Sequence, residues 1–169
     1  MKRIGWKDTA ELIGIFAILT SLIFVAQQLR QEEELLQSEM RAAMVANSVS
    51  INTSIIENAD VWVRGNKGEE LDPAESVIHS RLVSNVNDYM YQLRQTFLVI
   101  EPQWEGPILA RFAGFLVDNP GAYQAWLDRE RRFNTYITTI DPTETETVTS
   151  DWVDIIESRI AILKEKARP

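Results

Sequence analysis

The sequence predicts an all-α protein: a long amino-terminal transmembrane and stem helix, then a small antiparallel helical domain of about four further helices. Three observations predict it. Between Glu11 and Arg30 lie eighteen residues without a formal charge, LIGIFAILTSLIFVAQQL. No Gly or Pro interrupts the chain from Arg30 to Gly65. Apolar residues then recur at helical spacing from Ile78 to Ile100.

The uncharged segment would span roughly 27 Å as a helix, close to the ~30 Å hydrocarbon thickness of a bilayer. Thr20 and Ser21 interrupt it, but their hydroxyls bond back to carbonyls one turn earlier. Trp6 suits the headgroup layer, and Lys7 extends outward from the same edge. A cleaved signal peptide is the weaker reading, because a cut after Ala26 would put Phe24 at the −3 position. An amphipathic surface helix would need a charged face, which the segment lacks. A helix buried in protein is the remaining alternative. Lys2, Arg3 and Lys7 precede the span, whereas Arg30 and Arg41 follow it. The positive-inside rule therefore places the amino terminus in the cytoplasm and the larger remainder outside.

Residues 1–30 are read as the cytoplasmic start and transmembrane helix, and residues 31–169 as an acidic extramembrane domain. The first thirty residues balance to +2, leaving −10 on the rest of a chain whose formal charge is −8. Such a domain repels nucleic acid. The absence of cysteine excludes disulfides and thiolate chemistry.

The first helix continues as a stem over 31–58. Stepping by four and three from Ala10 gives a stripe free of charge, through Gly14, Ala17, Ser21, Phe24, Gln28, Gln31, Leu35, Ser38, Ala42, Val45, Val49, Asn52 and Ile56. Small residues at this spacing let helices approach closely in lipid, and an apolar heptad stripe is a packing seam outside it. The seam pairs either with a second copy or with the following helices of the same chain.

Val61–Leu71 reads as a connection, because it contains Gly65, Gly68 and the polar pair Asn66–Lys67. Asp72-Pro73-Ala74-Glu75 opens the next helix, 73–100, with a cap, a first-turn Pro and a Glu three residues on. Its apolar positions are Ile78, Leu82, Val86, Tyr89, Leu93, Phe97 and Ile100, and Pro102 ends it. A helix at 103–118 presents Trp104, Ile108, Phe112 and Phe115. Asn119-Pro120 caps and opens another, 120–132, with Tyr123, Trp126 and Leu127 inward. The β-branched stretch Phe133–Ile140 favours an extended or irregular path. Ser150 caps the last helix, 150–167, whose face is Val153, Ile156, Ile160 and Leu163; Lys164, Lys166 and Arg168 complement its dipole. Trp62, Trp104, Trp126 and Trp152 fall one per segment, as a small helical core needs.

The order of these features resembles a bacterial family of short proteins with one amino-terminal membrane helix and a helical domain, of no assigned activity. The matching residues are Trp6, Ser21 to Gln31, Trp62-Val63-Arg64-Gly65, Asn85 to Tyr91, Trp104-Glu105-Gly106 and Asn119-Pro120-Gly121 through Trp126. The likeness covers roughly residues 6–133. This chain departs from it by inserting about fifteen residues, Asn134 to Val148, before the terminal helix. The resemblance implies a location and an architecture, and no chemistry.

Candidate chemistry is sparse. His79 is the sole histidine, so a transition-metal site lacks partners and a structural or surface role is expected. Glu69, Glu70, Asp72 and Glu75 lack the spacing of a calcium loop, and helix-start signals account for Asp72 and Glu75. Asn85, Asn87, Asp88 and Arg94 on the central helix read as a buried hydrogen-bond network. A pocket walled by Asn85, Tyr89, Tyr91 and Gln92 is the alternative. Arg129, Arg131 and Arg132 with Asp128 and Glu130 read as a solvated face. No Gly-x-Ser-x-Gly turn or Gly-rich phosphate loop occurs. The expectation is a protein that is not an enzyme and carries no cofactor or metal. Its partners would be the lipid bilayer and either a second copy of itself or a larger membrane complex. A ligand-sensing or channel-forming oligomer is the second reading.

Overall fold

The computed structural model describes residues 6–140 and 150–167. Lys2, Arg3, the Thr/Glu run 143–149 and Arg168 lie outside them, and of Lys7 and Ala10 only the backbone is described. Among the described residues the protein is all-α, with no strand. The helices are α1 (Trp6–Glu57), α2 (Ala59–Lys67), α3 (Pro73–Ile100), α4 (Glu105–Asp118), α5 (Pro120–Ile140) and α6 (Ser150–Lys166), with a 3₁₀ turn at Pro102–Trp104. The chain forms two compact units, Met1–Ala46 and Asn47–Pro169.

The first unit is the amino-terminal part of α1. Its apolar window has a mean hydropathy of 1.6, and none of it is buried within the chain. Ile13, Phe16, Leu19, Leu22, Ile23 and Phe24 are all exposed. The hydroxyls of Thr20 and Ser21 donate to the carbonyls of Phe16 and Ala17 at 2.8 and 2.9 Å, so neither needs a partner outside the helix. The helix is long and apolar enough to cross a membrane.

The second unit begins with the last turns of α1. Ile51 is buried there, while Asn47, Ser48, Ser54 and Ile55 on the same face are half-buried. The side-chain amide of Asn58 donates back to Ser54 at 2.9 Å, and α2 begins at the next residue. α2 replaces most of the connection expected at Val61–Leu71. It ends at Gly68, whose φ of 78° lies in the left-handed region that glycine enters without strain. The backbone N–H groups of Gly68 and Glu69 close this cap on the carbonyls of Gly65 and Arg64.

α3 opens on the expected capping box. Asp72 accepts from the Glu75 backbone at 2.8 Å, and the Glu75 carboxylate accepts from the Asp72 backbone at 3.0 Å. Its buried residues are His79, Leu82, Val83 and Asn87, so the inward face is turned slightly from the expected stripe and Ile78 lies at its edge. Arg94 ties α3 to the first residue of α4 through Glu105 at 2.8 Å. The amide of Asn119 donates to the Phe115 carbonyl at 2.8 Å, closing α4 where α5 starts.

α4 lies at the centre of the core, packing on α6 and α3, while α5 packs on α3 and α2. Phe112, Leu116, Trp126, Ile156 and Val83 are the largest fully buried side chains. Phe112 stacks on Trp152 and meets Trp126 edge-on, with ring centroids 5.7 and 6.2 Å apart. Trp62 is half-buried and stacks on Phe115 at 5.7 Å. Trp104, expected in the core, is instead half exposed on the 3₁₀ turn.

The stretch expected to be extended or irregular, Phe133–Ile140, continues α5. β-branched residues cost at most ~0.7 kcal/mol each in a helix, too little to end one that no Gly or Pro interrupts. Thr135 accommodates its hydroxyl by donating to the Arg131 carbonyl at 2.8 Å.

Candidate functional site

Three places in the second unit carry polar or apolar groups in an arrangement that helix packing alone does not require. The first is the outward face of α1. Val49 precedes the buried Ile51 by two residues, about 200° round the helix. It is 59% exposed, and Ile56 on the same side is 74% exposed. The expected seam therefore does not face the chain's own following helices at these positions. In the first unit, Leu35, Ala42 and Val45 are likewise exposed, as are Ala17, Ser21 and Gln28, and a Cβ added at Gly14 would meet open space. Ala10 lies in the helix, its side chain undescribed.

The second place is the face of α3 beside α1. Asn85, Tyr89 and Gln92 line one recess of about 210 Å³ with Asn47, Ser50, Ile51, Ser54 and Asp88. The Asn47 amide donates to Gln92 Oε1 at 3.3 Å across it. Small-molecule sites usually occupy ~300–1,000 Å³, so this recess suits a few waters better than a metabolite.

The third is a polar chain that starts in the core at Asn87 and reaches the surface at Asp88 and Arg129. Asn87, 2% exposed, accepts hydrogen bonds on Oδ1 from the indole N–H groups of both Trp126 and Trp152, each at 3.0 Å. Indole N–H only donates, which sets the orientation of the amide. The Asn87 amide nitrogen then donates to Asp88 at 3.2 Å. Asp88 also accepts from Arg129, which turns its other arm to Glu130. The expected solvated face on α5 is thus divided. Arg131 pairs with Asp128 at 3.3 Å in the open, whereas Glu130 is buried and Arg129 reaches across to α3. The helical period hides this, because Glu130 falls four residues after the core residue Trp126 and so shares its face.

His79 is buried against α2. Its Nε2 lies 3.0 Å from Asn66 Oδ1, and its ring sits where a Cβ on Gly65 would be. Gly65 is glycine for this close approach, within a helix. Burial holds the His79 pKa below the usual 6.5, so the ring is neutral and Nε2–H donates to Asn66. The Arg64 guanidinium, hydrogen-bonded to Glu75, holds that carboxyl below its ordinary range. No group of three or more His, Cys, Asp or Glu that could hold a metal occurs among the described residues.

Glu130 supplies a pH signature. Burial pushes its carboxyl above the usual 4.5, and Arg129 beside it pulls the value part of the way back. The folded state then binds this proton more readily than the unfolded state. Glu130 therefore takes stability away as pH rises from about 4.5 through its folded value. Glu130→Gln is expected to gain stability relative to the parent between pH 4 and pH 7, read from urea midpoints at ~0.15 M salt. An equal difference at both pH values would remove burial of this charge from the account.

No protein-family model, curated protein or solved structure matches the chain.

Proposed function

We propose that the chain is a single-pass inner-membrane protein that acts by association through the charge-free face of α1, as a homo-oligomer. The proposed topology has the amino terminus in the cytoplasm and the helical domain in the periplasm. One observation carries the reading: apolar residues stay exposed on the side of α1 that its own domain leaves bare, with Val49 and Ile56 facing away from Ile51. An apolar helix face left to water costs roughly 1.5–3 kcal/mol per large side chain compared with burial. A second copy supplies the same face and satisfies both by symmetry. An accessory role in a larger membrane complex would use the same face. Exposure of the whole apolar window within the chain supports lipid, rather than the protein's own core, as its surroundings.

Chemical cross-linking and native mass spectrometry of the full chain in mild detergent test the association. The expected result is a discrete oligomer that dissociates by about two orders of magnitude more readily in V49E/I56E, from the loss of two buried apolar side chains. A strictly monomeric species at tens of micromolar would overturn it. Membrane attachment is checked separately: the protein should stay with vesicles through alkaline carbonate, and release would overturn the anchor.

A further inference from the structure

On the outer surface formed by α3 and α5, two guanidinium groups stand without a carboxylate. Arg81 and Arg132 are exposed, and neither makes an ion pair or hydrogen bond among the described residues. Arg30, Arg111 and Arg159 are likewise without an ion pair among the described residues, whereas Arg64, Arg94, Arg129 and Arg131 each meet an acidic side chain. A chain with a formal charge of −8 has ample carboxylates to cover two more cations, and none lines the recess that these two share.

Both arginines line one recess of about 410 Å³ with Ser76, Val77, Ser80 and Ser84. Its only charged lining residues are the two arginines. The three serines recur every fourth residue on α3 and so share a face. Ser84 spends its proton on the Ser80 carbonyl at 2.9 Å, while the hydroxyls of Ser76 and Ser80 have no hydrogen bond among the described residues. A neighbouring recess of about 460 Å³ shares Ser76, Ser80 and Arg132. It also contains Glu69 and Asp128, but these are already engaged by Lys67 at 3.7 Å and Arg131 at 3.3 Å. The uncompensated charge of this surface is therefore positive.

We infer that this groove binds a phosphate-bearing molecule. A guanidinium offers paired N–H donors that match a phosphate edge, and two of them with two free hydroxyls provide donors from more than one direction. A tetrahedral oxyanion uses such a set better than a planar carboxylate does. The strongly acidic chain repels anions at a distance, so capture depends on these short-range contacts rather than on long-range steering. The same chemistry admits a soluble phosphorylated metabolite or a phospholipid headgroup. The inference is independent of self-association, because it uses neither α1 nor a second copy.

The test is calorimetric titration of the full chain, in neutral detergent, with pyrophosphate. Saturable binding is expected, with an affinity lowered at least about tenfold in R81Q/R132Q, from loss of charge-assisted hydrogen bonds. Arg159→Gln, an exposed site on α6, should bind as the parent does. No saturable heat up to ~10 mM pyrophosphate would overturn the inference. So would an equal loss in R159Q, because general charge would then explain the binding. Repeating the titration in nanodiscs separates the sources: anionic phospholipid competes with pyrophosphate if the groove takes a headgroup, and leaves its affinity unchanged if it takes a soluble phosphate. Retained fold in both variants is verified by far-ultraviolet circular dichroism.

Discussion

Gly121→Ala is expected to destabilise the second unit by about 3 kcal/mol or more, the cost of forcing extra volume between packed backbones. A Cβ at this position would lie 1.8 Å from the Gly65 carbonyl oxygen and 2.7 Å from the Gly68 nitrogen. Both obstacles are main chain, so no rotamer change relieves them. The end of α2 would have to lift off the first turn of α5 by roughly an ångström or more. That movement would loosen the packing of Gly65 on His79 and the hydrogen bond from His79 to Asn66. Gly114→Ala is the matched control. It lies inside α4, and a Cβ there meets nothing within 4 Å. The same chemical change should stabilise by ~0.5–1 kcal/mol, because alanine loses less backbone freedom in a helix. Guanidinium midpoints of the two variants in one detergent should therefore move in opposite directions. Movement of both in the stabilising direction would mean that α2 and α5 do not approach as closely as 1.8 Å implies.

These glycines also show where the sequence misleads. Gly65 and Gly68 read as a connection, since glycine commonly interrupts helices. Only Gly68 has that role, at a positive φ. Gly65 is needed because an imidazole from α3 fills the space of its side chain. The reason lies across the fold and leaves no local mark. Local devices are legible for the opposite reason. The Asp72–Glu75 box spans three residues, and the hydroxyl bonds of Thr20 and Ser21 span four. The all-α class follows from periodicity, which each helix carries within itself.

The candidate seam lies between these cases. Its freedom from charge is written in the sequence, but whether it faces inward depends on a rotation of the helix. Ile51, Ser54 and Ile55 turn toward the domain, leaving Val49 and Ile56 bare. An apolar count cannot separate the two faces, because both carry isoleucines. The packing partner chooses. The groove of Arg81 and Arg132 was hidden in a similar way. Arg132 belongs to a run that reads as solvated charge, and only the tertiary structure distributes that run. Arg129 goes to Asp88, Arg131 to Asp128, and Arg132 is left with the serines of α3.

Asn87→Ala should cost about 3–5 kcal/mol, among the largest effects open to a single surface-neutral substitution in this protein. Its Oδ1 is the acceptor for two indole donors, on α5 and α6, that are 39 and 65 residues away in sequence. Trp126 and Trp152 are 0% and 3% exposed, so neither N–H can turn to water when the amide is removed. Each orphaned donor carries ~1–3 kcal/mol of unrecovered desolvation, and the small cavity adds to it. Two further variants separate this account from loss of volume. Asn87→Asp keeps an acceptor for both indoles but places a second carboxylate against Asp88, which now accepts the Asn87 amide at 3.2 Å. It should be more stable at pH 4 than at pH 7 relative to the parent, because protonation removes the repulsion. Trp152→Phe deletes one donor. Combined with Asn87→Ala it should lose less than the two single changes added together, since the orphaned group is gone in the double variant. Strict additivity, or a cost under ~1 kcal/mol for Asn87→Ala, would mean that the shared amide does not hold α5 and α6 to α3. The core would then rest on the stacked aromatics around Phe112 alone.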